Sequence, residues 1–117
     1  ENQRKLREFN YKNYSHKIKN KKIVFFHNKK DLLYENAYLN FPLLVDDKNK
    51  FLNYMLNNNI DISPQFYRSV NEISFFSKYS EPTNHIQESV KRIVTLPTYF
   101  DADKNYINKV VKLINKY

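Results

Sequence analysis

The longest apolar run of the chain, Phe41-Pro42-Leu43-Leu44-Val45, stands between polar stretches and is closed by Asp46-Asp47. Such a run fits a strand covered on at least one face. Pro42 disfavours the helical alternative, because proline lacks the N–H and crowds a helix interior. We therefore expect a strand over residues 37–45 around which helices pack. A shorter β-type run covers residues 22–26, and with a polar link over 27–36 the two can pair antiparallel. Residues 60–63, Ile-Asp-Ile-Ser, alternate with period two and return to the sheet before Pro64 bends or ends them.

Helical spacing surrounds these strands. Residues 2–19 line up Leu6, Phe9, Asn10, Asn13, Tyr14 and Ile18 on one side, a thin stripe that predicts docking on further protein or fraying. Asp47 suits the cap of a helix whose core face is Phe51, Leu52, Met55 and Leu56. That helix stops at Asn57-Asn58-Asn59. The chain contains no glycine, so Asn59 is the candidate for the left-handed residue that ends a helix. Residues 66–79 read as a loop with one helical turn. Pro82-Thr83 opens a helix with Ile86, Val90 and Ile93 on one face, and Leu96, preceding Pro97, makes residues 95–98 extended. Asp101 is placed to cap a last helix carrying Ile107, Val110, Val111, Ile114 and Tyr117 at amphipathic spacing. The succession predicts an α+β class, with helices on one face of a small antiparallel sheet.

At 117 residues there is room for one core, and an aromatic share of 16% opposes disorder despite a mean hydropathy of -0.77. The first residue is Glu and the one methionine is Met55, so the chain reads as a piece of something longer. No apolar run approaches the roughly 20 residues of a membrane helix, so no membrane partner is expected. Cysteine is absent, and a reducing cytoplasm is the default setting.

The formal net charge of +8 raises the possibility of a nucleic-acid surface, with Lys17, Lys19, Lys21, Lys22, Lys29 and Lys30 as its densest run. Solvated lysines on helix ends and loops explain the run more simply. The aromatics near it, Phe25, Phe26, Tyr34 and Tyr38, fall on strands and read as core rather than as a base-stacking platform.

Chemistry within the chain is restricted. Without glycine there is no phosphate loop, dinucleotide fingerprint or nucleophile elbow in its usual form. His16, His27 and His85 are not spaced as metal ligands, and the carboxylates are single or in capping positions. No catalytic, metal-binding or cofactor-binding residue is expected in this chain. The alternatives left open are a basic nucleic-acid-binding module and a non-catalytic interaction domain.

One succession of motifs points elsewhere: Arg4, Arg7 and Tyr11 on the first helix, residues 37–45, the helix after Asp47, Asn59-Ile60-Asp61, and Thr95-Leu96-Pro97-Thr98-Tyr99 before a final amphipathic helix. In order and spacing this resembles the C-terminal small domain of the DegT-type pyridoxal-phosphate-dependent sugar aminotransferases. The resemblance covers nearly the whole chain. It implies one small domain of a fold-type I aminotransferase over 1–117, a keto sugar linked to a nucleotide as substrate, and glutamate as amino donor. It also implies a homodimer at full length and pyridoxal phosphate held by a large N-terminal domain that lies outside this chain. Asn59 stands where the family has glycine. Where the family often shows Tyr-x-Pro-Leu-His, this chain has Phe66-Tyr67-Arg68-Ser69-Val70-Asn71 without the histidine. The resemblance makes Tyr67, Arg68 and Asn71 the candidates to face the sugar or its phosphates.

Overall fold

Helix α1, Asn2–Lys17, leads into strand β1, Val24–Phe25, which pairs with β2, Asn40–Leu44. Helix α2, Lys48–Asn57, follows, then a 3-10 turn at Val70–Glu72, a short helix α3 at Ser74–Ser77, helix α4 at Asn84–Arg92, strand β3 at Ile93–Pro97 and helix α5 at Lys104–Lys116. A computed structural model describes residues 2–26, 37–64, 70–79, 81, 84–99 and 102–117, with the backbone alone at 71, 77 and 84. The expected link over 27–36 and the expected helix opening at Pro82-Thr83 lie outside the described residues.

The sheet is antiparallel in the order β1-β2-β3, so the apolar run that anchors the sequence pattern is its central strand. Val24 pairs with Leu44, Leu43 with Val94 and Phe41 with Leu96. This register puts Phe41, Leu43, Val94 and Leu96 on one face, all fully buried. Against that face pack Tyr11 and Tyr14 of α1, Phe51 and Met55 of α2, and Ile107, Val110 and Ile114 of α5. The α+β layer expected from the sequence is the observed one.

The strand assignment at the sheet edge differs from expectation. Residues 93–97, expected to be partly helical and then merely extended, form the third full strand, so Ile93 starts β3 instead of ending α4. Residues 60–63 contribute a single antiparallel bridge, Ser63 with Thr95, whose N–H donates to the Ser63 carbonyl at 3.1 Å. Their alternation is real, with Ile60 and Ile62 buried and Asp61 and Ser63 exposed. Pro64 stops the ladder there by withholding an N–H.

Helix α1 buries part of the side its spacing suggested, since Asn10, Tyr14 and, just past the helix end, Ile18 turn inward as expected, but it is rolled so that Tyr11 and Ser15 join them. Leu6 and Phe9 are about half exposed, and the buried row is Asn10, Tyr11, Tyr14, Ser15 and Ile18. The cause lies across the interface. Tyr11 and Tyr14 meet Phe41 with ring centroids 4.6 and 5.3 Å apart, and this contact sets the roll of the helix. In α2, Phe51 and Met55 are buried as expected, whereas Leu56 is exposed. Ile86 of α4 is exposed as well.

Helix ends follow side-chain chemistry. The Asp47 carboxylate accepts from the Lys50 N–H at 2.9 Å, as anticipated. At the other end of α2, Asn59 adopts φ 57, with its N–H on Leu56 O at 2.9 Å and the Ile60 N–H on Met55 O at 3.0 Å. That pair of bonds is a Schellman termination, closed by the buried Ile60 and Met55, with asparagine in the glycine position. Helix α5 is capped by Asp103, whose carboxylate accepts from the Tyr106 N–H at 2.6 Å. The cap is thus Asp103, and Asp101, the residue expected there, lies outside the described residues. The helix starts at Lys104, and only the acid directly before that start reaches the third helical N–H.

Two stability outcomes follow. Replacing Asn59 with Gly removes a left-handed side chain and should raise stability, while Asn59→Ala should cost about 1 kcal/mol in urea unfolding. Asp103→Ala should cost about 1 kcal/mol by the same measurement, and Asp101→Ala should leave stability within about 0.5 kcal/mol of the parent.

Candidate functional site

A cleft of about 430 Å³ opens beside β3, where residues 61–64 approach the strand. The sheet register builds it. Asn40 opposes Pro97 at one end of the β2–β3 ladder, and the Ser63–Thr95 bridge brings Asp61, Ser63 and Pro64 alongside. Tyr99, just past the Leu-Pro segment, completes the wall.

Several contacts of long sequence separation hold this wall still. Tyr14 donates its hydroxyl to Pro97 O at 3.0 Å, and Asn10 donates its amide to Ala102 O at 3.1 Å and to Tyr99 O at 3.4 Å. Helix α1 thus fixes the chain on both sides of Thr98. Thr98 is itself buried, its hydroxyl oxygen 2.7 Å from Tyr38 O and 2.6 Å from Leu39 O, so one proton is shared between two carbonyls. Those bonds secure Tyr38 at φ 51, a left-handed conformation that disfavours a bulky side chain. Tyr38 is compensated by a buried ring lying edge-on to Tyr11, centroids 5.2 Å apart.

The mouth of the cleft carries an interacting set of phenols and one carboxylate. Burial first, then the neighbouring Tyr99 phenol, to which it is hydrogen-bonded, and the Asp61 charge push Tyr106 up to about 12. Burial likewise pushes Tyr14 far above the ordinary phenol value, with smaller contributions from Tyr106 and Tyr99. Among the described residues the lining offers an amide at Asn40, a carboxylate at Asp61 and hydroxyls at Ser63, Thr95 and Tyr99, but no lysine or arginine.

Among the residues predicted to face substrate, Tyr67 and Arg68 lie outside the described residues. Asn71 falls in the 3-10 turn, with its backbone alone described. Pro64, at the cleft, is the last described residue before them in the chain. Sequence reasoning missed Asn40, Asp61, Thr95, Tyr99 and Tyr106. The alternation at 60–63 pointed Asp61 and Ser63 away from the core, and that was the available clue. The pairing of β2 with β3 that gathers the rest is a long-range fact.

A second cleft, about 450 Å³, is lined by Lys22, Lys50 and Lys116 together with Asp46, Asp47 and Tyr54, a mixture of both charges. Described lysines occur on each of α1, α2, α4 and α5. Among the described residues no group of three His, Asp or Glu side chains could hold a metal ion. No described helix is long and apolar enough to cross a membrane.

An antiparallel sheet of three strands with helices against one face is the architecture of one portion of several solved aminotransferases. CalS13, a sugar aminotransferase from Micromonospora echinospora, superposes with a TM-score of 0.86 at 18% identity, over 98% of this chain and 31% of that one. AtS13 from Actinomadura melliaura gives 0.84 at 19% identity, over 99% of this chain and 31% of its own. DesV from S. venezuelae, solved in complex with a ketimine intermediate, gives 0.83 at 12% identity, over 98% of this chain and 32% of its own. At such identities the likeness is one of fold, and the chain spans about a third of each of these structures. No curated protein matches the chain. The family model for the DegT/DnrJ/EryC1/StrS aminotransferases matches residues 1–115, and the chain belongs to that family.

Raised tyrosines have a pH consequence. For Tyr106 the folded value of about 12 lies above the ordinary phenol value of 10.0, so the folded state holds its proton more tightly. The resulting stability is complete below about pH 10 and is lost as pH rises toward 12. Urea unfolding between those limits should show steadily falling stability, with a shallower fall in Tyr106→Phe.

Proposed function

We propose that the chain is the small domain of a pyridoxal-phosphate-dependent aminotransferase that moves an amino group from glutamate onto a keto sugar linked to a nucleotide. The observation that carries this reading is the family match over residues 1–115. In this reading residues 1–117 form one small domain, a large N-terminal domain completes the enzyme, and the full-length protein works as a homodimer in the cytoplasm.

The cofactor would belong to the large domain. When bound, pyridoxal phosphate supplies an aldehyde that condenses with amines and a ring that accepts electrons. The cleft beside β3 does not fit it. A phosphate wants cations or clustered N–H donors, and among the described residues this lining has one carboxylate and no lysine or arginine. An imine-forming lysine must also be desolvated and held. Lys48 is the described lysine whose value burial lowers, and it sits in the first turn of α2, away from the cleft lining.

What this chain contributes is a wall. Asn40, Asp61, Ser63 and Tyr99 present hydrogen-bonding groups on a rigid support, while Pro64 and Pro97 keep unpaired backbone N–H groups out of the cleft. Tyr67, Arg68 and Asn71 remain the proposed contacts to the sugar or its phosphates. Alone, the chain should be inactive. The net charge of +8 also fits a nucleic-acid surface in principle. However, lysines distributed over α1, α2, α4 and α5, and a lysine cleft that includes two aspartates, favour a solvated surface.

The isolated chain, mixed with pyridoxal phosphate, should show no stoichiometric Schiff-base absorbance and no lysine trapped by borohydride. The longer product of the same reading frame should bind the cofactor and turn over glutamate with a nucleotide-linked keto sugar. Trapping on one lysine of the isolated chain would overturn the division of labour, and a longer product inert toward every amino donor would overturn the activity.

A further inference from the structure

We propose that Arg7 is a docking anchor whose guanidinium pairs with a carboxylate of the large domain that completes the enzyme. The inference rests on the reading above for the existence of that domain. The choice of residue and of partner chemistry comes from α1.

Helix α1 enters the core gradually. Residues 2–6 are exposed, Arg7 and Glu8 are partly buried, and full burial starts at Asn10. Arg7 stands one turn ahead of Tyr11, in line with the row that packs on the sheet. That position buries its Nε, yet among the described residues this N–H has no acceptor. A guanidinium keeps its charge and all its donors at any working pH, whereas a buried lysine can shed its proton. A buried donor left unpaired costs stability, so the fold gains when an acceptor reaches Arg7 from elsewhere.

Charge selects a carboxylate as that acceptor. Glu8, the neighbouring acid on the helix, is already engaged by Lys12 at 2.6 Å. Residues 2–7 hold Arg4, Lys5 and Arg7 and no acid, so an incoming carboxylate meets a positive field. The fork of an arginine receives such a group through two N–H donors. Leu6 and Phe9, three residues apart and about half exposed, add an apolar ridge on which the segment bearing the carboxylate can pack. An ionic anchor beside an apolar ridge suits a protein surface better than a nucleic acid, which offers charge without the aliphatic contact. Linkage favours the large domain over a free partner. In the proposed enzyme that domain precedes residue 1 in the same polypeptide, and a short tether holds it near the first turns of α1 at a roughly millimolar effective concentration.

The test is hydrogen exchange over residues 6–10, read by mass spectrometry in the isolated chain and in the longer product of the reading frame. These amides should be better protected in the longer product. Arg7→Met keeps an aliphatic stem and removes the donors. It should leave the urea midpoint of the isolated chain unchanged or raised, and in the longer product it should speed exchange over residues 6–10 about tenfold while α5 stays protected. The amine introduced by Arg7→Lys, treated with a carbodiimide, should crosslink to an acid that precedes residue 1. A lowered midpoint for isolated Arg7→Met, or a crosslink to Asp31 or Glu35, acids outside the described residues, would put the partner within this chain and overturn the proposal. Equal protection of residues 6–10 in the two parent proteins would overturn it as well, and that comparison decides even if a variant folds poorly. Unchanged exchange in the longer Arg7→Met product would overturn the role given to Arg7. Each of these failures would leave the aminotransferase reading intact, because that is decided by cofactor binding and turnover in the longer product.

Discussion

The Phe41 ring is the point on which the architecture depends. It sits fully buried on the central strand, and rings from two other elements converge on it: Tyr11 and Tyr14 from α1 and Phe25 from β1, the last at 5.7 Å. Burying such a ring contributes on the order of 2–3 kcal/mol, and each well-placed aromatic neighbour about 0.5–1.5 more. These contacts are also directional. They set the roll of α1, which brings Asn10 and Tyr14 opposite the chain at 97–102 and so positions the wall of the cleft. A hydrophobic contact thereby determines where polar groups are presented, some distance from itself.

That linkage explains why α1 carries buried polar residues in its inward row. An apolar side chain at Asn10 would pack equally well but would leave the carbonyls of Tyr99 and Ala102 without the partner they now have. The far end of α1 is tied by similar means. Asn115 of α5 accepts from the N–H groups of Lys19 and Asn20 at 2.7 and 3.2 Å and donates to Lys17 O at 3.0 Å, while Asn20 donates to Ile114 O at 2.8 Å. A chain rich in asparagine and devoid of glycine can use this residue both as a left-handed helix end, at Asn59, and as a two-sided clasp between helix ends.

What could be read in the sequence was whatever depends on neighbours along the chain. The apolar run at 41–45, the Asp47 cap, the asparagine at the end of α2 and the amphipathic α5 are local patterns, and each appears where expected. Failures arose where a distant partner decides. The inward side of α1 is set by Phe41, so of the expected stripe Asn10, Tyr14 and Ile18 face in whereas Leu6 and Phe9 do not. Residues 93–97 become a strand because Asn40–Leu44 lies ready to pair with them, although Ile93 also fits the helical spacing before it. The choice of Asp103 over Asp101 turns on a shift of two residues in helix start, which alternating acids cannot reveal. The cleft was legible only at Asp61 and Ser63, since its other members meet through strand register.

The electrostatic layout of the molecule adds a last constraint. A strongly basic chain that places both Asp46 and Asp47 at the end of its central strand uses acids for geometry there. Asp47 caps α2, and Asp46 receives the Arg92 guanidinium at 2.8 Å while the same side chain donates from Nε to Val45 O at 3.0 Å. The ion pair is largely solvated and by itself contributes little, but the carbonyl bond closes the strand end that no further ladder residue could satisfy. Asp61 has no such structural duty: no cap, strand end or ion pair employs it among the described contacts. Within this basic chain, acids at a strand end and a helix start are thus accounted for by the fold, whereas Asp61 acts on its surroundings through charge, helping to hold the neighbouring Tyr106 phenol in its neutral form.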